Sequence, residues 1–186
     1  MAADILDSKF QKLFSFVDAN GNGVIGRGDF LELAGRLNER FGASPGSARA
    51  NSVTASFERC WEGIEAAVGA GDASKVTAKQ YSDGLRQVFA GGDDGAFDRL
   101  MAPMSDAVFD LCDTNGDGVI SFSEFHAVQS AVGNISEAEC AEVFRALDLD
   151  QSNGISRDEA RAGVRDYFTN EDPASPGNRY FGSLLG

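Results

Sequence analysis

Apolar side chains recur at spacings of three and four residues in eight segments of the chain, as they do on one face of a helix. Short polar, glycine-rich stretches separate these segments, and the one from Gly42 to Asn51, with Pro45 and Gly46, is predicted to be a loop. Pro103 falls inside the fifth segment, where we expect it to kink the helix or divide it in two. The predicted helices cover residues 4–17, 30–41, 52–68, 78–89, 97–112, 122–132, 136–147 and 157–168. The pattern therefore predicts an all-α protein.

The polar stretch from Asp113 to Glu124 carries a recognisable ligand pattern. It places side-chain oxygens at positions one, three, five, nine and twelve, a glycine at six and isoleucine at eight. Calcium takes about six to eight oxygen ligands, and a glycine permits the sharp turn around the ion. The predicted ligands are the side chains of Asp113, Asn115, Asp117 and Glu124, the carbonyl of Val119, and Ser121 directly or through water. The pattern is identified as an EF-hand calcium loop.

The stretch from Asp148 to Glu159 repeats this pattern. Position six is Asn153, and asparagine tolerates the left-handed turn better than most residues. The predicted ligands are Asp148, Asp150, Ser152, the carbonyl of Gly154, Ser156 through water, and Glu159. We expect calcium to bind here as well.

The stretch from Asp18 to Asp29 has a weaker version of the same pattern. Its predicted ligands are the side chains of Asp18, Asn20, Asn22 and Asp29 and the carbonyl of Val24. Position nine is Gly26, so a ligand there must be water. Asp29 is one methylene shorter than glutamate and can reach the ion with one oxygen instead of two. We expect a site weaker for Ca²⁺ or one that also takes Mg²⁺, which prefers six ligands.

A fourth stretch, from Gly69 to Gln80, keeps the frame without the ligands. Positions one, three and five are Gly69, Gly71 and Ala73, none of which has a side-chain oxygen, and position twelve is neutral. Thr77 and Gln80 still form the Thr-x-x-Gln pattern of a helix cap. We therefore predict a hand that has lost its metal and kept its structural role.

The residues at position eight predict how the hands pair. They are Ile25, Val76, Ile120 and Ile155, all β-branched and suited to a short strand between two loops. We expect the first loop to pair with the second and the third with the fourth, Ile120 facing Ile155. Residues 1–92 would form one pair, residues 93–170 another, and residues 171–186 an apolar tail docked on the body of a compact globule.

Composition narrows the choice of partners. The 186 residues carry a formal charge of −13, which disfavours nucleic acid and anionic membranes and suits cation binding. No apolar run is long enough to span a membrane, and the N-terminus lacks a signal-peptide pattern. Three widely spaced cysteines predict free thiols in a reducing compartment. We expect a cytoplasmic monomer whose protein target, if it has one, the residues do not identify.

A chain with four hands, of which the second lacks metal ligands, resembles the sarcoplasmic calcium-binding protein family, and its actinobacterial members in particular. The asparagine-rich first loop, the Cys112-Asp113 entry into the third loop and the Phe181–Gly186 ending carry this resemblance, which covers nearly the whole chain. The insert around residues 172–179 departs from it. The resemblance implies a compact helical protein that buffers or transports calcium.

Three functions compete on the residues alone. A calcium sensor exposes an adaptable, often Met-rich groove, whereas this chain has three methionines and 14 phenylalanines. That composition favours a buffer and leaves a sensor as the alternative. Calcium-triggered photoproteins share the arrangement of hands but line a cavity with His, Trp and Tyr, of which His126 is the one histidine here. No nucleophile or phosphate motif predicts an enzyme.

Overall fold

The computed structural model describes residues 4–68, 75–89, 94–133 and 135–182. Within these ranges the chain forms eight α-helices and four two-residue strands. Helices α1 to α8 span Ile5–Val17, Arg27–Arg40, Ala48–Val68, Ala78–Phe89, Asp94–Cys112, Phe122–Val132, Glu137–Leu147 and Arg157–Thr169. Strands β1 to β4 are Val24–Ile25, Val76–Thr77, Val119–Ile120 and Ile155–Ser156, and a 3₁₀ helix spans Pro176–Arg179. The all-α fold class is confirmed.

Helices α2, α3 and α5 each begin three or four residues before their predicted starts. Helix α3 begins at Ala48, so the prediction of a loop over residues 48–51 is wrong. The Ser47 hydroxyl accepts a hydrogen bond from the Ala50 amide at 3.2 Å, so a polar residue counted as loop caps the helix. Helix α5 runs through Pro103 without a break, which excludes a division into two helices. A proline inside a helix has no backbone donor, so α5 lacks one helical hydrogen bond at this turn.

The strands join the loops in the predicted pairs. Strand β1 pairs antiparallel with β2, and Ile25 faces Val76. Strand β3 pairs antiparallel with β4, and Ile120 faces Ile155. All four of these side chains are buried. The predicted partnership of first with second loop and third with fourth is therefore confirmed.

Reciprocal caps begin the helices that leave the loops. Ser121 and Ser156 each accept a hydrogen bond from the glutamate amide three residues on, and that glutamate accepts one in return. In the second hand the Gln80 side chain accepts from the Thr77 amide at 3.0 Å, and the Thr77 hydroxyl accepts from the Gln80 amide at 3.4 Å, as predicted. Each cap fixes the direction in which the helix leaves its loop.

The larger of two hydrophobic cores extends across both pairs of hands. It contains Leu13 and Leu85 from the first pair and Met101 and Tyr167 from the second. The smaller core lies beneath the third and fourth loops and contains Ile120, among others. Because the larger core draws on both pairs, their apolar faces cover each other.

The C-terminal segment packs against helices next to all three ligand-bearing loops. The Phe181 ring lies 5.0 Å from that of Tyr167 on α8 and 6.1 Å from that of Phe16 on α1, between centroids. The Tyr180 ring lies 6.3 Å from that of Phe125 on α6. Residues 171–182 are thus docked on the body, and residues 183–186 of the predicted tail lie outside the described ranges.

A buried lysine ties the first helix to the last. The Lys9 ammonium group donates to the carbonyl oxygens of Asn170 at 2.7 Å and Asp166 at 3.4 Å. The Tyr167 hydroxyl donates to the Lys9 carbonyl at 2.9 Å. Burial lowers the pKa of Lys9 to about 8. A cation is favoured there because the terminal carbonyls of a helix carry partial negative charge.

Two further predictions concern the environment of the chain. Cys60, Cys112 and Cys140 are free and buried, as the cysteine spacing predicts. Among the described residues, no helix combines the length and apolar character needed to cross a membrane.

Candidate metal centres

The third loop, Asp113–Glu124, is organised around the carboxylate of its first residue. Asp113 Oδ1 accepts hydrogen bonds from the amides of Gly116 and Asp117 at 2.7 and 3.1 Å, and its Oδ2 accepts one from Gly118 at 3.0 Å. Gly118 has a φ of 84°, the left-handed turn predicted at position six. Asn115 and Asp117, at positions three and five, likewise accept from the amides of Asp117 and Val119, each at 3.0 Å, so all three ligand side chains are held by amides of the loop.

The closing carboxylate of the third loop is held by four donors. Glu124 Oε1 accepts from the amide and hydroxyl of Thr114 at 2.9 and 2.7 Å. Its Oε2 accepts from the amide and hydroxyl of Ser121 at 2.9 and 2.7 Å. Burial of Glu124 disfavours the charged form, but these hydrogen bonds outweigh it and hold the pKa below its ordinary value. Glu124 is therefore an oriented anion. The role of Thr114 escaped the sequence analysis because position two is not a ligand position.

The fourth loop, Asp148–Glu159, brings its carboxylates closest together. Oxygens of Asp148, Asp150 and Glu159 all lie within 4.8 Å of one another. Asn153 takes the predicted left-handed turn, with a φ of 65°, and Gln151 also has a positive φ of 57°. Gln151 stands at position four, where the first and third loops have Gly21 and Gly116 at positive φ, so only an alignment of the loops could have revealed it.

The first loop, Asp18–Asp29, has the same curl with fewer anions. Asp18 accepts from the amides of Asn22 and Gly23 at 3.0 and 2.9 Å. Asp29 Oδ2 accepts from the Gly26 amide at 2.8 Å, and its Oδ1 from the Asn20 side-chain amide at 3.2 Å. Two carboxylates and two carboxamides suit a hard divalent cation. The pattern contains one anion fewer than the third or fourth loop.

The second loop is only partly within the described ranges. Its predicted empty positions, Gly69, Gly71 and Ala73, lie outside them. The described part keeps Val76 in its strand and Gln80 in its cap. These are the structural functions predicted for this hand.

An apolar cavity of about 130 Å³ lies between the two pairs of hands. Its lining includes Phe57, Met101, Val128 and Phe181. Pockets for drug-sized ligands are about 300–1,000 Å³, so this cavity is too small for one without rearrangement. His126 does not line it and stacks on Phe122 instead, at 6.1 Å between ring centroids.

Comparisons with known proteins agree with this geometry. The EF-hand domain pair family matches residues 99–165, and the EF hand family matches residues 10–34. Calerythrin of Saccharopolyspora erythraea is 29% identical over 167 residues, which cover 90% of this chain and 94% of that protein. The luciferin-binding protein of Renilla reniformis is 28% identical over 91% of this chain and 89% of that one.

Solved structures share the fold. A calcium-binding protein of Streptomyces coelicolor superposes with a TM-score of 0.77 at 23% identity, covering 88% of this chain and 98% of that one. Calcium-loaded apo-aequorin from Aequorea victoria gives a TM-score of 0.76 at 24% identity, covering 89% and 91%. At these identities the likeness concerns the fold alone.

Matched hands, paired loops and oxygen-lined turns define a calcium-binding EF-hand protein. The likeness to calerythrin extends over nearly the full length of both chains. Within its class, the chain is therefore a calerythrin-like EF-hand protein.

Proposed function

We propose that the protein is a calcium buffer that binds three ions, one in each of the first, third and fourth loops. The first site also takes Mg²⁺, because Asp29 closes it with a short arm. The protein performs no catalysis. The metal ligands are Asp18, Asn20, Asn22, Val24 and Asp29; Asp113, Asn115, Asp117, Val119 and Glu124; and Asp148, Asp150, Ser152, Gly154 and Glu159.

The shared core is the observation that carries the buffer function. Both pairs bury their apolar faces in one cluster, which includes Phe10 and Phe57 from the first pair and Phe97 and Phe168 from the second. Among the described residues, Leu149 is the one large hydrophobic side chain that is exposed. A sensor must open an apolar groove when calcium binds, whereas buffer hands barely open. Opening here would break a core common to both pairs.

Calorimetric titration tests the number and kind of sites. Calcium is titrated into the metal-free protein with and without millimolar Mg²⁺. We expect three bound calcium ions, one of which weakens in Mg²⁺ because the two ions compete at the first loop. Two or fewer ions without Mg²⁺ would refute the three-site proposal.

A sensor is the second candidate, and the docked C-terminal segment favours it. Gln129 donates to the Tyr180 carbonyl at 2.9 Å, and Asp166 accepts from the Gly177 amide at 2.8 Å. A docked segment that contacts helices beside three loops could be displaced by a partner. The Streptomyces coelicolor protein is described in terms of calcium-mediated regulation. An apolar fluorescent dye that binds strongly only with calcium would favour the sensor, and unchanged binding would favour the buffer.

We propose a monomer in the reducing cytoplasm. The three thiols are free, and the apolar surface is covered within one chain. Light scattering with and without calcium tests the monomer. A dimer in either condition would contradict it.

A further inference from the structure

The first turn of helix α3 contains an arginine, Arg49, at a position where a helix does not favour a positive charge. Arg49 is the second residue of α3. The first turn of a helix favours negative side chains, because its free amide groups give it a partial positive charge. Arg49 also lies in the first turn of α3, where the residue pattern predicts a loop.

The guanidinium group of Arg49 reaches the other pair of hands. Its Nη2 atom lies 2.8 Å from the carbonyl oxygen of Asp110, 2.5 Å from that of Leu111 and 3.3 Å from that of Asp113. Helix α5 ends at Cys112. The last carbonyls of a helix lack amide partners within it and carry partial negative charge, so a cation is favoured there. Arg49 therefore caps the helix that enters the third loop.

The contact holds the point where α5 becomes the third loop. Asp113 offers its carbonyl to Arg49 and its carboxylate to the amides that curl the loop. Loop one has a comparable contact, in which Arg36 donates to the Phe16 carbonyl at 3.0 Å. Arg36 belongs to the helix that leaves the same loop, whereas Arg49 belongs to the other pair. The helix that enters the third loop is thus capped at its C-terminal end by a residue of the other pair of hands.

We propose that Arg49 is a positioning residue that raises the calcium affinity of the third loop from the N-terminal pair. This inference rests on the proposed function. Two effects of Arg49 oppose each other there, since its charge repels Ca²⁺ while its hydrogen bonds preorganise Asp113. Arg49 is exposed, so water and salt screen the repulsion. The hydrogen bonds depend on the guanidinium geometry, which neither glutamine nor lysine reproduces. Preorganisation therefore prevails.

Nuclear magnetic resonance of the full chain separates the sites. The backbone amide of Gly118 reports on the third loop and that of Gly23 on the first during a calcium titration. We expect Arg49→Gln and Arg49→Lys to lower the affinity seen at Gly118 by about 3- to 10-fold, as expected for one or two lost hydrogen bonds. The affinity at Gly23 should stay unchanged. Arg59→Gln, on the exposed side of the same helix, is the charge-matched control and should behave as the unmodified protein.

Several outcomes would overturn the role of Arg49. Tighter calcium at Gly118 in Arg49→Gln, with Arg49→Lys unchanged, would mean that charge repulsion dominates. Equal losses at Gly118 and Gly23 would mean general destabilisation, which thermal melts of the calcium-free variants would also show. A Gly118 signal that ignores calcium in the unmodified protein would refute the proposed third site itself, and with it this role.

Discussion

The N-terminal and C-terminal pairs of hands have the same framework and different ligands. Both pairs join their loops through buried β-branched residues, Ile25 with Val76 and Ile120 with Ile155. The C-terminal pair has two loops rich in carboxylates, whereas the second loop of the N-terminal pair has no side-chain oxygen at positions one, three and five. The described part of the second hand keeps the strand pairing of Val76 and the cap of Gln80. We therefore expect a hand to keep its framework when it lacks metal ligands.

The carboxylate at position twelve, which closes each loop, is also held more firmly in the C-terminal pair. Glu124 and Glu159 each accept hydrogen bonds with both carboxylate oxygens, from donors at the two ends of the loop. Asp29 also accepts with both carboxylate oxygens, but it has two donors among the described residues, the Gly26 amide and the Asn20 side chain, whereas each glutamate has four. We therefore expect tight, coupled sites in the C-terminal pair and a single weaker site in the N-terminal pair.

Removing calcium should have the largest effect. A ligand at 100 times its Kd stabilises a site by about 2.7 kcal/mol, so three sites contribute about 8 kcal/mol, or at least about 15 °C in a chain of this size. Melting with calcium and with a chelator measures the shift. Hydrogen exchange should show a greater loss of protection in α6 and α7 than in α2. An equal loss in all three helices would break the comparison between the pairs, and an unchanged midpoint would contradict metal-linked stability.

Replacing the closing glutamate of the fourth loop should test the coupling within the C-terminal pair. We expect Glu159→Gln to weaken calcium there by about 100-fold, because a bidentate anion is lost. The third loop should weaken by about 10-fold through the β3–β4 pairing, which both loops share. Asp29→Asn should affect the first loop alone, and Glu62→Gln on the surface is the charge control. A third loop indifferent to Glu159→Gln would mean that the two sites bind independently.

The sequence predicts the parts of the fold that depend on local patterns. Apolar spacing predicts the helices, and the pattern of the loops predicts the left-handed Asn153 and the strand register of Ile120. Contacts between distant residues were not predictable. Nothing near Arg49 in the chain indicates that α5 lies beside it, and the buried Lys9 needs the carbonyls of a helix more than 150 residues away.

The missed start of α3 has a local cause. The stretch before it is rich in glycine, proline and serine, which a composition rule assigns to a loop. Ser47 nonetheless caps the helix through its hydroxyl. Polar residues before an apolar stripe are compatible with a loop and with the first turn of a helix, and packing of α3 decides between the two.

Lengthening the closing residue of the first loop should make it resemble the C-terminal loops. Asp29→Glu restores a second oxygen within reach of the ion, so we expect about 10-fold tighter calcium and weaker competition by Mg²⁺. Glu124→Asp, the matched reverse change in the third loop, should shift preference towards Mg²⁺. Calorimetric titration with both ions measures the two variants. If Asp29→Glu leaves the first site unchanged, its weakness comes from Gly26 or the asparagines instead.

The smallest effect concerns the core that the two pairs share. Cys60 lies in it almost fully buried, and burial raises the pKa of its thiol from about 9 to about 12. Above pH 9 the unfolded chain releases this proton while the folded protein keeps it, so stability falls as pH rises. At pH 9.5 the Cys60 contribution to this loss is about 0.8 kcal/mol. Cys60→Ala leaves a cavity at any pH but cannot titrate, so its deficit against the unmodified protein should shrink by that amount between pH 7.5 and 9.5 in urea unfolding. A constant deficit would mean that the thiol ionises in the folded protein too, and that the shared core is more open to water than its packing indicates.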